Sequence, residues 1–113
     1  MIDENVFAKI IAGEIPAEVL FEEDDLIVIK DIKPKAPVHY LVVPRKEIRT
    51  INDSREQDAQ LLGRMILAGK KAARKLGIDD GYKLVFNVEA KGGQVIPHIH
   101  LHVLGGWQDG ASE

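Results

Sequence analysis

One stretch alone carries a long helical period. From Ser54 onward, Leu61, Leu62, Met65, Ile66, Ala68, Ala72, Ala73 and Leu76 recur at helical spacing until Gly77. That pattern predicts an amphipathic helix of about 20 residues, roughly 30 Å long. Ser54 with Gln57 three residues on has the form of a capping box, and Gly77 that of a stop. The other apolar runs are short and β-rich: "AEVLFE", "LIVIKD", "VHYLVVP", "YKLVFNV" and "HIHLHVL". The acidic turn "EDD", the prolines of "KPKAP" and a loop with Gly92 and Gly93 interrupt them. A second helix is short. Asp3 is placed to cap "ENVFAKIIA", with Val6, Phe7, Ile10 and Ile11 on one face and Gly13 at the end. The expectation is an α+β fold, a five-stranded, mainly antiparallel sheet with one long and one short helix. One long helix covers only one face of such a sheet. The other face is left to solvent, to a second copy or to a site.

The chain has 113 residues, no internal repeat and no linker, so residues 1–113 read as a single domain. A formal net charge of −3 gives no basic face for nucleic acid or an anionic membrane. There is no cysteine, hence no disulfide, thiolate zinc site or thiol nucleophile, which fits a cytoplasmic protein. The acidic N-terminus "MIDENVFAKI" lacks the apolar core of a signal peptide. Runs such as "LIVI" and "YLVV" are too short to span a membrane.

Three of the four histidines fall at every second position of "PHIHLHVLGG". On a strand, His98, His100 and His102 share one face, with α-carbons about 6.5–7 Å apart, and Ile99, Leu101 and Val103 share the other. A half-exposed strand is one reading. A metal site is a second, since several imidazoles on one strand can ligate zinc or copper. Against it, the segment holds no acidic residue or cysteine to complete the shell. Phosphoryl chemistry is the third. Neutral imidazole attacks phosphorus, imidazolium donates to phosphate oxygens, and a cluster can divide the two roles. The backbone of "KGGQ" adds N–H groups for the same phosphate.

"HIHLHV" has the His-φ-His-φ-His-φ-φ form of the histidine-triad (HIT) superfamily. "KDIKPKAPVHYLVVPRKEI" and "GYKLVFNVEAKGGQ" also resemble that family, and "HVLGG" resembles its nucleotide-binding Hint branch. The resemblance runs from about Val6 to Gly106. It implies a HIT-like fold and a hydrolase acting on purine nucleoside phosphoramidates, with no cofactor and no metal. It implies His100 as nucleophile, passing through a nucleotidyl-histidine to release AMP or GMP. His98 would orient His100 through its backbone carbonyl, His102 would meet the phosphate or leaving group, and His39 would support the row. Asp31 would accept the ribose hydroxyls, with Ile32 beside the ribose. Val6, Phe7, Ile10, Ile29 and Leu41 match the base pocket, and Asn87, Gly93 and Val95 the phosphate side.

The partners so implied are purine nucleotide conjugates and a second copy, in a homodimer joined by the final strands and long helices. Two other functions stay open, a nucleotide-binding adaptor with little catalysis and a dinucleoside polyphosphate hydrolase. Val95 departs from a hydroxyl residue common in relatives, Pro97 from an aromatic one, and "GGWQDGASE" from a longer tail. Trp107 in that tail would either reach a partner or pack at home.

Overall fold

The computed structural model describes residues 1–111. The last two residues of the tail and of the expected domain, Ser112 and Glu113, lie outside them. The elements run α1 (Val6–Ile11), β1 (Val19–Glu23), β2 (Leu26–Lys30), β3 (Val38–Pro44), α2 (Ala59–Lys75), β4 (Tyr82–Val85) and β5 (Leu101–Gly105). The sheet has five strands in the order β1-β2-β3-β5-β4, and every neighbouring pair is antiparallel. The expected α+β architecture is therefore present.

Period-two alternation sorts the strand residues into two cores. Leu26, Val28, Val42, Leu101 and Val103 face α2 and pack with Met65, Ala68, Ala72 and Ala73. Ile27, Ile29, Leu41 and Val43 face the other way and pack with Phe7 of α1. Strand β2 is thus buried on both sides, which explains its unbroken apolar run. A Cβ on Gly69 would stand 2.9 Å from Leu84, so glycine there lets α2 lie close on the sheet.

Several boundaries differ from the sequence expectation. The short helix is capped by Asn5, not Asp3: the Asn5 side chain accepts from the Ala8 N–H at 3.0 Å. The Ser54–Gln57 box does not form, because the Ser54 hydroxyl donates to the Ile51 carbonyl at 2.6 Å. Two 3₁₀ turns, Ile51–Asp53 and Glu56–Asp58, come first. Thr50 and Asp53 cap the first of them. The long helix then starts at Ala59 and runs 17 residues.

Strand β5 starts at Leu101, so His98 and His100 precede the ladder. The cause lies on the neighbouring strand. Val42 pairs with Leu101, and β3 ends two residues later at Pro44, which has no N–H to give. The Ile99 N–H turns instead to the Ile48 carbonyl, at 2.8 Å. Strand β4 stops at Val85, three residues short of the predicted run, where its partner β5 also gives out. Of the two final strands, β5 lies inside the sheet with both edges taken, so only β4 has an edge for a second copy to pair with. The free edges belong to β1 and β4. No helix among the described residues is long and apolar enough to cross a membrane.

Candidate active site

The three triad histidines alternate with Ile99, Leu101 and Val103 as the spacing predicts, although only His102 lies on the strand. The residues between them are buried in the α2-side core. The imidazoles fall on the α1 side, where His98 is fully buried and His100 only 8% exposed. Rings of His100 and His102 lie 4.8 Å apart, and Phe7 of α1 lies 4.8 Å from the His100 ring.

Carbonyl acceptors decide the protonation of two rings. His98 Nε2 sits 2.7 Å from the Pro44 carbonyl, which only accepts, so Nε2 carries the proton. His100 Nδ1 sits 2.8 Å from the His98 carbonyl and donates to it. In a neutral ring, that leaves the lone pair on His100 Nε2. A carbonyl fixes this tautomer as a carboxylate does in a serine hydrolase.

A second relay reaches His102. The Lys35 backbone N–H donates to His39 Nδ1 at 3.0 Å, so neutral His39 carries its proton on Nε2. That nitrogen is 2.9 Å from His102 Nδ1 and donates to it. The His102 proton consequently lies on Nε2; the Asn87 amide nitrogen stands 3.3 Å from that atom, and the side chain accepts the proton only with its amide turned over to present the oxygen. The site thus offers a bare nitrogen on His100 and an N–H on His102 side by side.

Burial keeps the row uncharged. Desolvation is the leading cause that pulls His39, His98 and His100 below the ordinary histidine range. His102 is pushed down to about 4, first by burial and then by the neighbouring His100 and His39. At neutral pH all four are free bases, the state a nucleophile and a neutral N–H donor need.

Asp31 follows β2. One carboxylate oxygen accepts the Lys33 N–H at 2.7 Å, and the other lies 3.4 Å from His39 Nε2. The carboxylate absent from the triad segment is thus supplied from across the sheet. Asp31, His39 and His102 bring ligand-type atoms within 4.8 Å of one another. The donor set does not fit a metal ion, however, because the His39 nitrogen facing the group carries a proton fixed there by the Lys35 N–H.

The apolar positions converge. Phe7, Ile29 and Leu41 form one buried cluster with Val6 and Ile10 against it, and Ile29 opposes Leu41 in the ladder. Gly93 has φ 91°, a left-handed conformation that glycine adopts freely, and a Cβ there would meet the Asn87 side chain at 3.8 Å. Ile32 and Val95 do not join the cluster and are 91% and 55% exposed. Trp107 lies 5.7 Å from the Lys83 ammonium of its own chain. Three groups escaped the sequence reading: the Pro44 carbonyl, the Lys35 N–H and the Asn5 amide, whose nitrogen is 3.0 Å from His98 Nδ1. Only Asn5 carried a signal, as a strong capping residue immediately before the first apolar helix position.

A family model described as HIT domain matches residues 12–109. A purine nucleoside phosphoramidase of Escherichia coli is 44% identical over 107 residues, spanning 94% of this chain and 90% of that protein. The crystal structure of a HIT family hydrolase from Legionella pneumophila superposes with a TM-score of 0.89. It is 48% identical and covers 93% of this chain and 95% of its own. A HIT family hydrolase from Clostridium thermocellum gives a TM-score of 0.90 at 39% identity, over 99% of this chain and 98% of its own.

Proposed function

The chain belongs to the HIT domain family, and from that premise we propose that it hydrolyses purine nucleoside phosphoramidates through a nucleotidyl-histidine. The observation that carries the reading is the pairing of a bare His100 Nε2 with a protonated His102 Nε2, each set by its own hydrogen-bond relay. His100 Nε2 attacks the α-phosphorus, and a phosphorus–nitrogen bond to the ring forms as the phosphoramidate P–N bond breaks. The departing amine takes its proton from solvent water, while the neutral His102 N–H donates a hydrogen bond to the phosphate. The hydroxide so formed attacks the phosphorus, and the phosphorus–nitrogen bond to His100 breaks as the nucleoside monophosphate is released.

The binding roles are those the family resemblance implies. The cluster of Val6, Phe7, Ile10, Ile29 and Leu41 takes the purine, and Asp31 takes the ribose hydroxyls. Ile32 flanks the ribose at the open rim. Asn87 and the backbone at Gly93 and Val95 hold the phosphate, with no hydroxyl side chain at Val95 to assist the leaving group. No step calls for a metal or another cofactor. The absence of cysteine suits a cytoplasmic setting.

Brief mixing with an adenosine phosphoramidate, quenching and mass spectrometry should reveal one AMP moiety on the peptide bearing His100, together with free AMP. Binding of AMP with neither adduct nor release would make the protein a nucleotide-binding module instead.

The protein acts as a homodimer in this proposal, joined through the free edge of β4 and the exposed face of α2. Ile66 and Leu67 on that helix are 46% and 63% exposed, leaving apolar surface for a partner copy to cover. Light scattering at micromolar concentration should give twice the chain mass, whereas a monomer there would end this part of the reading.

A further inference from the structure

Building on that reading of the triad, we infer that Asn5 is a positioning residue that denies a second proton to His98 and thereby keeps the support of the nucleophile neutral. The polarity of its amide is not free. Its oxygen accepts the Ala8 N–H at 3.0 Å as the cap of α1. The amide nitrogen therefore points at His98 Nδ1, 3.0 Å away, and donates to it. The opposite ring nitrogen already spends its proton on the Pro44 carbonyl. A second proton on Nδ1 would face the Asn5 N–H, donor against donor. Turning the amide over would present an NH₂ group to the Ala8 N–H and break the cap. Protonation of His98 is thus tied to the unmaking of a helix end.

Glu47 is the acidic group that favours a charged His98 ring, and burial outweighs it. The groups facing the ring are the Pro44 carbonyl at the end of β3, Glu47 in the loop after it, His100 and Asn5 itself. A charged His98 would place a cation beside the attacking ring of His100, whose carbonyl partner belongs to the same residue. The same amide also seats the helix that brings Phe7 to 4.8 Å from His100. One side chain therefore joins the end of a helix to the electrical state of the triad.

Asn5→Asp separates the two duties, since aspartate caps a helix as well as asparagine but replaces the donor by a carboxylate. A carboxylate opposite a ring nitrogen favours the charged ring, so the His98 pKa rises, by about one to three units. Nitrogen-detected NMR titration of the imidazoles reads this without any substrate. In Asn5→Asp, His98 should carry protons on both nitrogens at a pH where the unsubstituted protein carries one. Its kcat/KM should fall roughly tenfold at neutral pH and recover toward alkaline pH as that proton leaves. Asn5→Ser keeps the cap, removes the amide donor and adds no charge, and should raise the His98 pKa by less. An unchanged His98 titration in Asn5→Asp overturns the inference. Should that variant fail to fold, an unchanged titration in Asn5→Ser overturns it equally. A shifted titration in a protein that hydrolyses no phosphoramidate would keep the role of Asn5 and remove only the substrate.

Discussion

His100→Ala should lose about a thousandfold or more of the turnover of an adenosine phosphoramidate while keeping AMP affinity within a few-fold. The substitution removes the proposed nucleophile, the ring nitrogen left bare by the donor bond of His100 Nδ1 to the His98 carbonyl. Asp31 and the apolar cluster around Phe7 are untouched. Single-turnover kinetics beside calorimetric AMP titration would check both halves, and no AMP adduct should form. His98→Ala differs in kind. The His98 carbonyl that orients His100 belongs to the backbone and survives the change, so activity should be reduced rather than abolished. Equal losses in the two variants would mean that the imidazole of His98 takes part in chemistry.

The second large effect concerns stability. Met65→Ala should cost about 3 kcal/mol and lower the melting temperature by roughly 10 °C. Met65 is fully buried in the α2-side core, between the helix and the sheet. Removing its thioether leaves a cavity that the close approach of α2 cannot collapse, because the helix already rests on Leu84 and Leu101 at Gly69. The site lies on the other face, so kcat/KM measured well below the transition should stay near that of the unsubstituted protein. Calorimetry and kinetics on one preparation test the pair of statements. A loss of activity as large as that of stability would show that the two faces are coupled.

What could be read from the sequence depended on the range of the interaction. Alternation of His98, His100 and His102 with Ile99, Leu101 and Val103 was legible because it belongs to any extended backbone, whether or not a neighbour pairs with it. The start of the pairing was not legible, because it depends on where β3 ends at Pro44, far away in the chain. The same holds for the two relays. Nothing local announces that the Pro44 carbonyl meets His98, or that Asp31 and His39 meet across the sheet. The position of β5 between β3 and β4 is likewise a matter of strand order, which a list of strands does not contain. The errors at helix starts had a different origin. Asp3 and Asn5 are both good caps, as are Thr50 and Ser54, and the choice fell to tertiary partners. Resemblance supplied roles that no periodicity holds, such as the nucleophile among three similar histidines.

The sheet keeps the two apolar clusters apart, one under α2 and one under α1. That separation bears on how such a protein can change over generations. In the proposed function, residues of the α1 face can be exchanged to admit a different base or leaving group while the core under α2 is left intact. Selection on specificity and selection on robustness would then draw on different sets of positions. Asn5 is an exception, since it serves both a helix end and the triad.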